Sequence, residues 1–81
     1  MQIDVMLFAG ARLAVGEPSI TVTLPENARA GDLIRVLGEQ YDQLSSLLPS
    51  CRLAVDQSYV ADDCVLLPES QCALIPPVSG G

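Results

Sequence analysis

The 81-residue chain has no histidine, no lysine and no tryptophan, and each absence removes a class of chemistry. Without histidine it lacks the side chain that most often serves as a general base near neutral pH. Without lysine it can form no Schiff base. Its four cationic side chains, Arg12, Arg29, Arg35 and Arg52, stand against ten acids, for a net charge of −6. A chain of that sign has no basic footprint, so neither nucleic acid nor an anionic membrane is expected as a partner. No apolar run approaches the roughly 20 residues that cross a bilayer. Met1-Gln2-Ile3-Asp4 lacks the basic start of a signal peptide, and a mature cytoplasmic chain is expected.

Cysteine is sparse and scattered. Cys51, Cys64 and Cys72 are odd in number and form no Cys-x-x-Cys pair, which fits neither a disulfide framework nor a zinc site. Cys51 and Cys72 lie in apolar, strand-like contexts and read as core thiols. Cys64 sits beside Asp62-Asp63 and is a poor nucleophile candidate, since reactive thiolates favour electropositive surroundings. No glycine-rich phosphate loop follows a strand, and Asp62-Asp63 read as a solvated turn. The isolated chain is therefore expected to catalyse nothing alone and to hold no cofactor stably.

What is present suits one small globular domain: 49% of residues are hydrophobic and 17% charged. Residues 2–8 read as a strand with Ile3, Val5 and Leu7 on one face, and Met6 and Phe8 ending the other. A connection over 9–17 holds a short helical turn at Ala11 to Val15. Residues 19–24 alternate cleanly, with Ile20, Val22 and Leu24 inward, and pair antiparallel with the first strand. Residues 31–41 read as the one substantial helix, with the stripe Leu33, Ile34, Leu37 and Tyr41. Its expected Ser/Thr cap is missing. Leu44, Leu47 and Leu48 close the end of the core. Residues 51–55, 58–60 and 72–75 read as further strands, with Asp56-Gln57 a tight turn. One helix on one mixed sheet, with the last strand central and parallel to the first, is an α+β plan of the β-grasp, ubiquitin-like kind.

The chain ends Ala73-Leu74-Ile75-Pro76-Pro77-Val78-Ser79-Gly80-Gly81. A body of 1–75 is expected to carry an extended tail, 76–81, that reaches about 20 Å. Pro76-Pro77 stiffen its stem toward polyproline II and lower the cost of ordering it on docking. Gly80 and Gly81 let the backbone approach a partner closely. A free Gly81 carboxylate is then the candidate reacting group.

These residues carry a resemblance. The ending, together with Phe8-Ala9-Gly10-Ala11-Arg12 and Val55-Asp56-Gln57-Ser58-Tyr59-Val60, is similar to the small sulfur-carrier subunits of molybdopterin synthase. The chain departs from that family's pattern at Leu13, at Asp56 and at Glu69-Ser70-Gln71-Cys72, positions in loops and turns rather than in the tail. The resemblance implies three partners. An adenylyltransferase of the ubiquitin-activating type would join AMP from ATP to Gly81. A sulfurtransferase donor would convert that adenylate to a thiocarboxylate. The large synthase subunit would accept the tail, whose sulfur helps build the molybdopterin dithiolene. Gly81 and Gly80 are the implied reacting end. Phe8, Arg12, Pro76, Pro77, Val78 and Ser79 are the implied partner contacts, Phe8 provided that it faces away from the helix and Arg12 if it pairs with a partner carboxylate rather than with water. Tyr59 is expected to be a packing residue.

Two other roles share the terminal diglycine: a sulfur carrier of thiamine or cysteine biosynthesis, of which the thiamine carrier is disfavoured because it usually lacks Pro-Pro-Val-Ser before the diglycine, and a ubiquitin-like protein modifier. The lysine-free body bears on all three. It has no side-chain amine to form an isopeptide with a sister molecule, a property that composition alone would also produce.

Overall fold

A computed structural model of the chain describes residues 1–77. The expectations for Val78, Ser79, Gly80 and Gly81 lie outside the described residues. Elements follow in the order β1 (Gln2–Leu7), α1 (Ala9–Val15), β2 (Ser19–Thr23), α2 (Ala30–Gln40), β3 (Arg52–Val55), β4 (Ser58–Tyr59) and β5 (Gln71–Ile75). Two single 3₁₀ turns, Asp42–Leu44 and Leu48–Ser50, join α2 to β3. The five strands make one sheet in the order β2-β1-β5-β3-β4. β1 pairs antiparallel with β2 and parallel with β5, which also pairs antiparallel with β3. The last strand is thus central, as the β-grasp reading requires.

Period-two alternation sorts the sheet into two faces. Ile3, Val5 and Leu7 of β1, Ile20 and Val22 of β2, and Cys72 and Leu74 of β5 are buried together with Leu33 and Leu37 of α2. Each such aliphatic side chain contributes about 2 kcal/mol by leaving water. Leu44 and Leu48 on the 3₁₀ turns close the end of this core, while Leu47 is only half-buried.

Three local features depart from expectation or complete it. The turn after β1 is a full seven-residue helix, ended by Gly16 in the left-handed region at φ 85° with its N–H on the Arg12 carbonyl. The missing Ser/Thr cap of α2 is replaced from far along the chain. Ala30 and Gly31 donate their N–H groups to the carbonyls of Cys64 and Asp62 at 2.8 and 2.9 Å. The N–H of Arg29, the residue before the helix, is taken by the Asp32 carboxylate at 2.9 Å. At the β3–β4 hairpin, Asp56 and Gln57 both take positive φ, 50° and 73°, as a primed two-residue turn demands. Cys72 is a core thiol as expected, whereas Cys51 is only half-buried.

Candidate functional site

One side of the sheet carries α2; among the described residues the other carries no helix, and the strand residues opposite the core set come together there. Paired residues of neighbouring strands project to the same side, so the register fixes which side chains form a row. Met6 lies opposite Ala73, Ala73 opposite Ala54, and Ala54 opposite Tyr59. Two alanines in the centre make a low floor, and Met6 and Tyr59 stand as walls. Phe8 and Ile75 line the same groove, with Gln57 and Gln71 supplying amides. Met6, Phe8 and Tyr59 remain 50%, 42% and 53% exposed, so the groove presents apolar side chains to its surroundings.

Phe8 faces the open side, meeting the condition set for it as a docking residue. It sits just past the end of β1 and starts α1, so the helix cannot cover it. Ala9 follows with φ 48°, a left-handed value that turns the chain sharply at that point. Pro76 is half-buried and Pro77 exposed, directly after β5 at the Ile75 end of the groove. Arg12 stands exposed on α1 and does not line the groove.

Tyr59 corrects an expectation. It is not a packing residue: β4 is a two-residue edge strand that leaves the ring exposed, with the Arg52 guanidinium 4.0 Å from its centroid. Met6, Ala54, Ala73 and Ile75 were not singled out as contacts. For Met6, Ala73 and Ile75 the signal was present in the alternation of β1 and β5, whereas Ala54, in β3 beside buried Leu53, gave none.

The titratable groups near the site are tied into the fold. Cys72 pairs in register with buried Val5 and faces the core. Burial, with Asp56 and Cys64 nearby, pushes its thiol up to about 11. Burial also raises the Cys51 thiol. Asp32, held by the Arg29 N–H and flanked by Arg35, lies below the usual carboxylate range, but it serves the start of α2. Among the described residues no three metal-ligating side chains are clustered, and no helix is long and apolar enough to cross a membrane. The groove can bind an apolar surface; among the described residues that line it there is no carboxylate and no exposed thiol.

Known proteins resemble this chain in sequence and in fold. The chain is 39% identical to the molybdopterin synthase sulfur carrier subunit of Dictyostelium discoideum, over 99% of this chain and 96% of that one. SAMP1 of Haloferax volcanii superposes with a TM-score of 0.88 at 22% identity, over the whole of both chains. A protein–protein complex of subunits 1 and 2 of the molybdopterin-converting factor from Helicobacter pylori contains a chain that superposes at 0.73 with 21% identity, again over the whole of both. The model of one family matches residues 5–81, from the second half of β1 to the diglycine, and this chain belongs to it: the ThiS family.

Proposed function

We propose that this chain is the sulfur carrier of a molybdopterin synthase, with residues 1–75 as the docking body and 76–81 as the reacting tail. The observation that carries the reading is the position of β5. The strand that leads into the tail is central, and it ends at Ile75 on the rim of the apolar groove. A partner seated on Met6, Phe8 and Tyr59 therefore lies beside the root of the tail. Support also comes from the name borne by the Dictyostelium relative, matched over nearly its whole length.

The chemistry follows from what the body lacks. A carboxylate is a poor electrophile, so Gly81 needs activation from outside. An adenylyltransferase of the ubiquitin-activating type joins the Gly81 carboxylate to AMP, with ATP as the source and pyrophosphate as the leaving group. A sulfurtransferase then supplies sulfur, AMP leaves, and a thiocarboxylate stands at the chain end. Phe8, Pro76, Pro77, Val78 and Ser79 guide it into the large synthase subunit, where the sulfur enters the dithiolene of molybdopterin. Gly80 lets the backbone pass a narrow entrance. Arg12, away from the groove, is left a contact only for a partner that wraps around α1. The reading puts this work in the cytoplasm, where ATP is supplied.

Intact mass after co-expression with the adenylyltransferase and the sulfur donor tests it. Replacement of oxygen by sulfur adds about 16 Da. Deleting Gly81 must abolish the gain. Isopeptide-linked adducts on many proteins, with no sulfur gain, would favour a modifier instead.

A further inference from the structure

The α-amino group of Met1 donates to the Leu24 carbonyl at 2.6 Å, and the Leu24 N–H returns a bond to the Met1 carbonyl at 2.8 Å. Met1 is half-buried, packed against the core as an extra rung on the β1–β2 pair. The sequence holds no lysine, so no side chain among its 81 residues carries a primary amine. The four arginines stay protonated and do not attack acyl carbon. The three thiols differ in access. Cys72 is buried, Cys51 is half-buried, and half-buried Cys64 directs its Sγ toward the Val65 carbonyl at 3.7 Å.

We propose that the folded chain is an acyl donor but a poor acyl acceptor, because no side chain carries an amine and the Met1 amine is held by the Leu24 carbonyl, so the activated Gly81 carbonyl of a sister molecule meets no free amine on its surface. This rests on the carrier reading above, in which Gly81 passes through an adenylate. The reaction avoided is simple. A neutral amine nitrogen attacks the acyl carbon, the C–N bond forms, the C–O bond to phosphate breaks, AMP departs with the electron pair, and the amine proton goes to solvent. The resulting amide is a dead end, since an amide nitrogen is a far worse leaving group than AMP. The Met1 amine must lose a proton and break its bond to Leu24 before it can react, which slows it further. The chain therefore links to copies of itself more slowly than to proteins whose amines are free.

Two arms test this. In the first, the purified chain alone meets the N-hydroxysuccinimide ester of acetate at neutral pH, and intact mass counts acetyl groups. The folded chain is expected to take up acetate about tenfold more slowly than the peptide Met-Gln-Ile amide, whose amine is free. Leu13, 85% exposed on α1, is the host for the controls. Leu13→Lys should take one acetyl rapidly, and Leu13→Arg, equal in charge but without a nucleophilic amine, should match the parent chain. Labelling of the parent chain at the peptide's rate overturns the proposal. In the second arm the adenylyltransferase and ATP are added, with pyrophosphate release read beside covalent dimers. Release without dimers from the parent chain and from Leu13→Arg, with dimers from Leu13→Lys, is expected. Hydroxylamine-resistant dimers of the parent chain, or none from Leu13→Lys, overturn it. Absence of pyrophosphate release counts against the carrier reading instead, and the ester arm then decides this proposal by itself.

Discussion

Asp56 and Gln71 hold each other by two bonds: the Asp56 carboxylate accepts the Gln71 N–H at 3.0 Å, and the Asp56 N–H donates to the Gln71 carbonyl at 2.9 Å. The tip of the β3–β4 hairpin is thereby locked to the first residue of β5, the strand that leads to the tail. Asp56 also carries the left-handed φ of 50° that the turn needs.

Replacing Asp56 with alanine removes the side-chain acceptor and keeps the positive φ, where aspartate and asparagine are better tolerated. A loss of about 1–2 kcal/mol is expected in urea denaturation. Asp56→Asn retains both the acceptor and the turn preference and should stay close to the parent chain. Equal losses in the two variants would show that the lock contributes nothing.

Cys72 makes alkaline stability readable. Its thiol rises from an ordinary 9.0 to about 11 in the folded chain. The folded state then holds this proton more tightly than the unfolded state. That contribution is fully present below pH 9 and is lost as pH climbs toward 11. Cys72→Ala leaves a small cavity and is less stable at neutral pH, but its stability should fall less steeply across that window. Denaturation curves at a series of pH values check this, and parallel declines would count against a titrating Cys72.

Much of this fold is legible because strand alternation and helical period report burial directly. Ile3, Val5 and Leu7 could be assigned to one face without coordinates, and so could Met6 and Phe8 to the other. What the pattern does not carry is long-range. Nothing near Ala30 signals that the carbonyls of Asp62 and Cys64, some thirty residues on, will satisfy the start of α2. Tyr59 misleads for a related reason. An aromatic beside Val60 suggests packing, yet its exposure depends on β4 being the sheet edge, which only the pairing order determines. The alanine floor is quiet in sequence because Ala54 and Ala73 become neighbours only through register.

Asp32 governs the acid side. Its carboxylate accepts the Arg29 N–H, and Arg35 adds a hydrogen bond and charge, so its pKa falls below the ordinary 3.8. A depressed acid contributes stability above its unfolded pKa and loses it as pH falls through the folded one. The exposed Arg35 pair itself adds little. Asp32→Asn should lower the thermal midpoint at neutral pH and flatten its decline below pH 3.8. A variant with the parent's midpoint at neutral pH would mean that a neutral amide oxygen serves the Arg29 N–H as well as the carboxylate does.

The groove can be closed without touching the core. Ala73 is half-buried on the open face, between Met6 and Ala54. Ala73→Leu should fill the floor and lift a docked partner off Met6 and Tyr59. Phe8→Ala and Tyr59→Ala instead remove apolar contact; Tyr59→Ala also frees Arg52 from the ring. Truncating a central aromatic contact costs about 2 kcal/mol or more, so each is expected to weaken binding to a large synthase subunit about 30-fold. Titration calorimetry measures the affinity, and a thermal midpoint near the parent's shows that the fold is kept. Leu13→Ala on α1, outside the groove, should bind as the parent does. If Ala73→Leu also binds as the parent does, the partner sits on another face, and the tail must reach it without help from Met6, Phe8 or Tyr59.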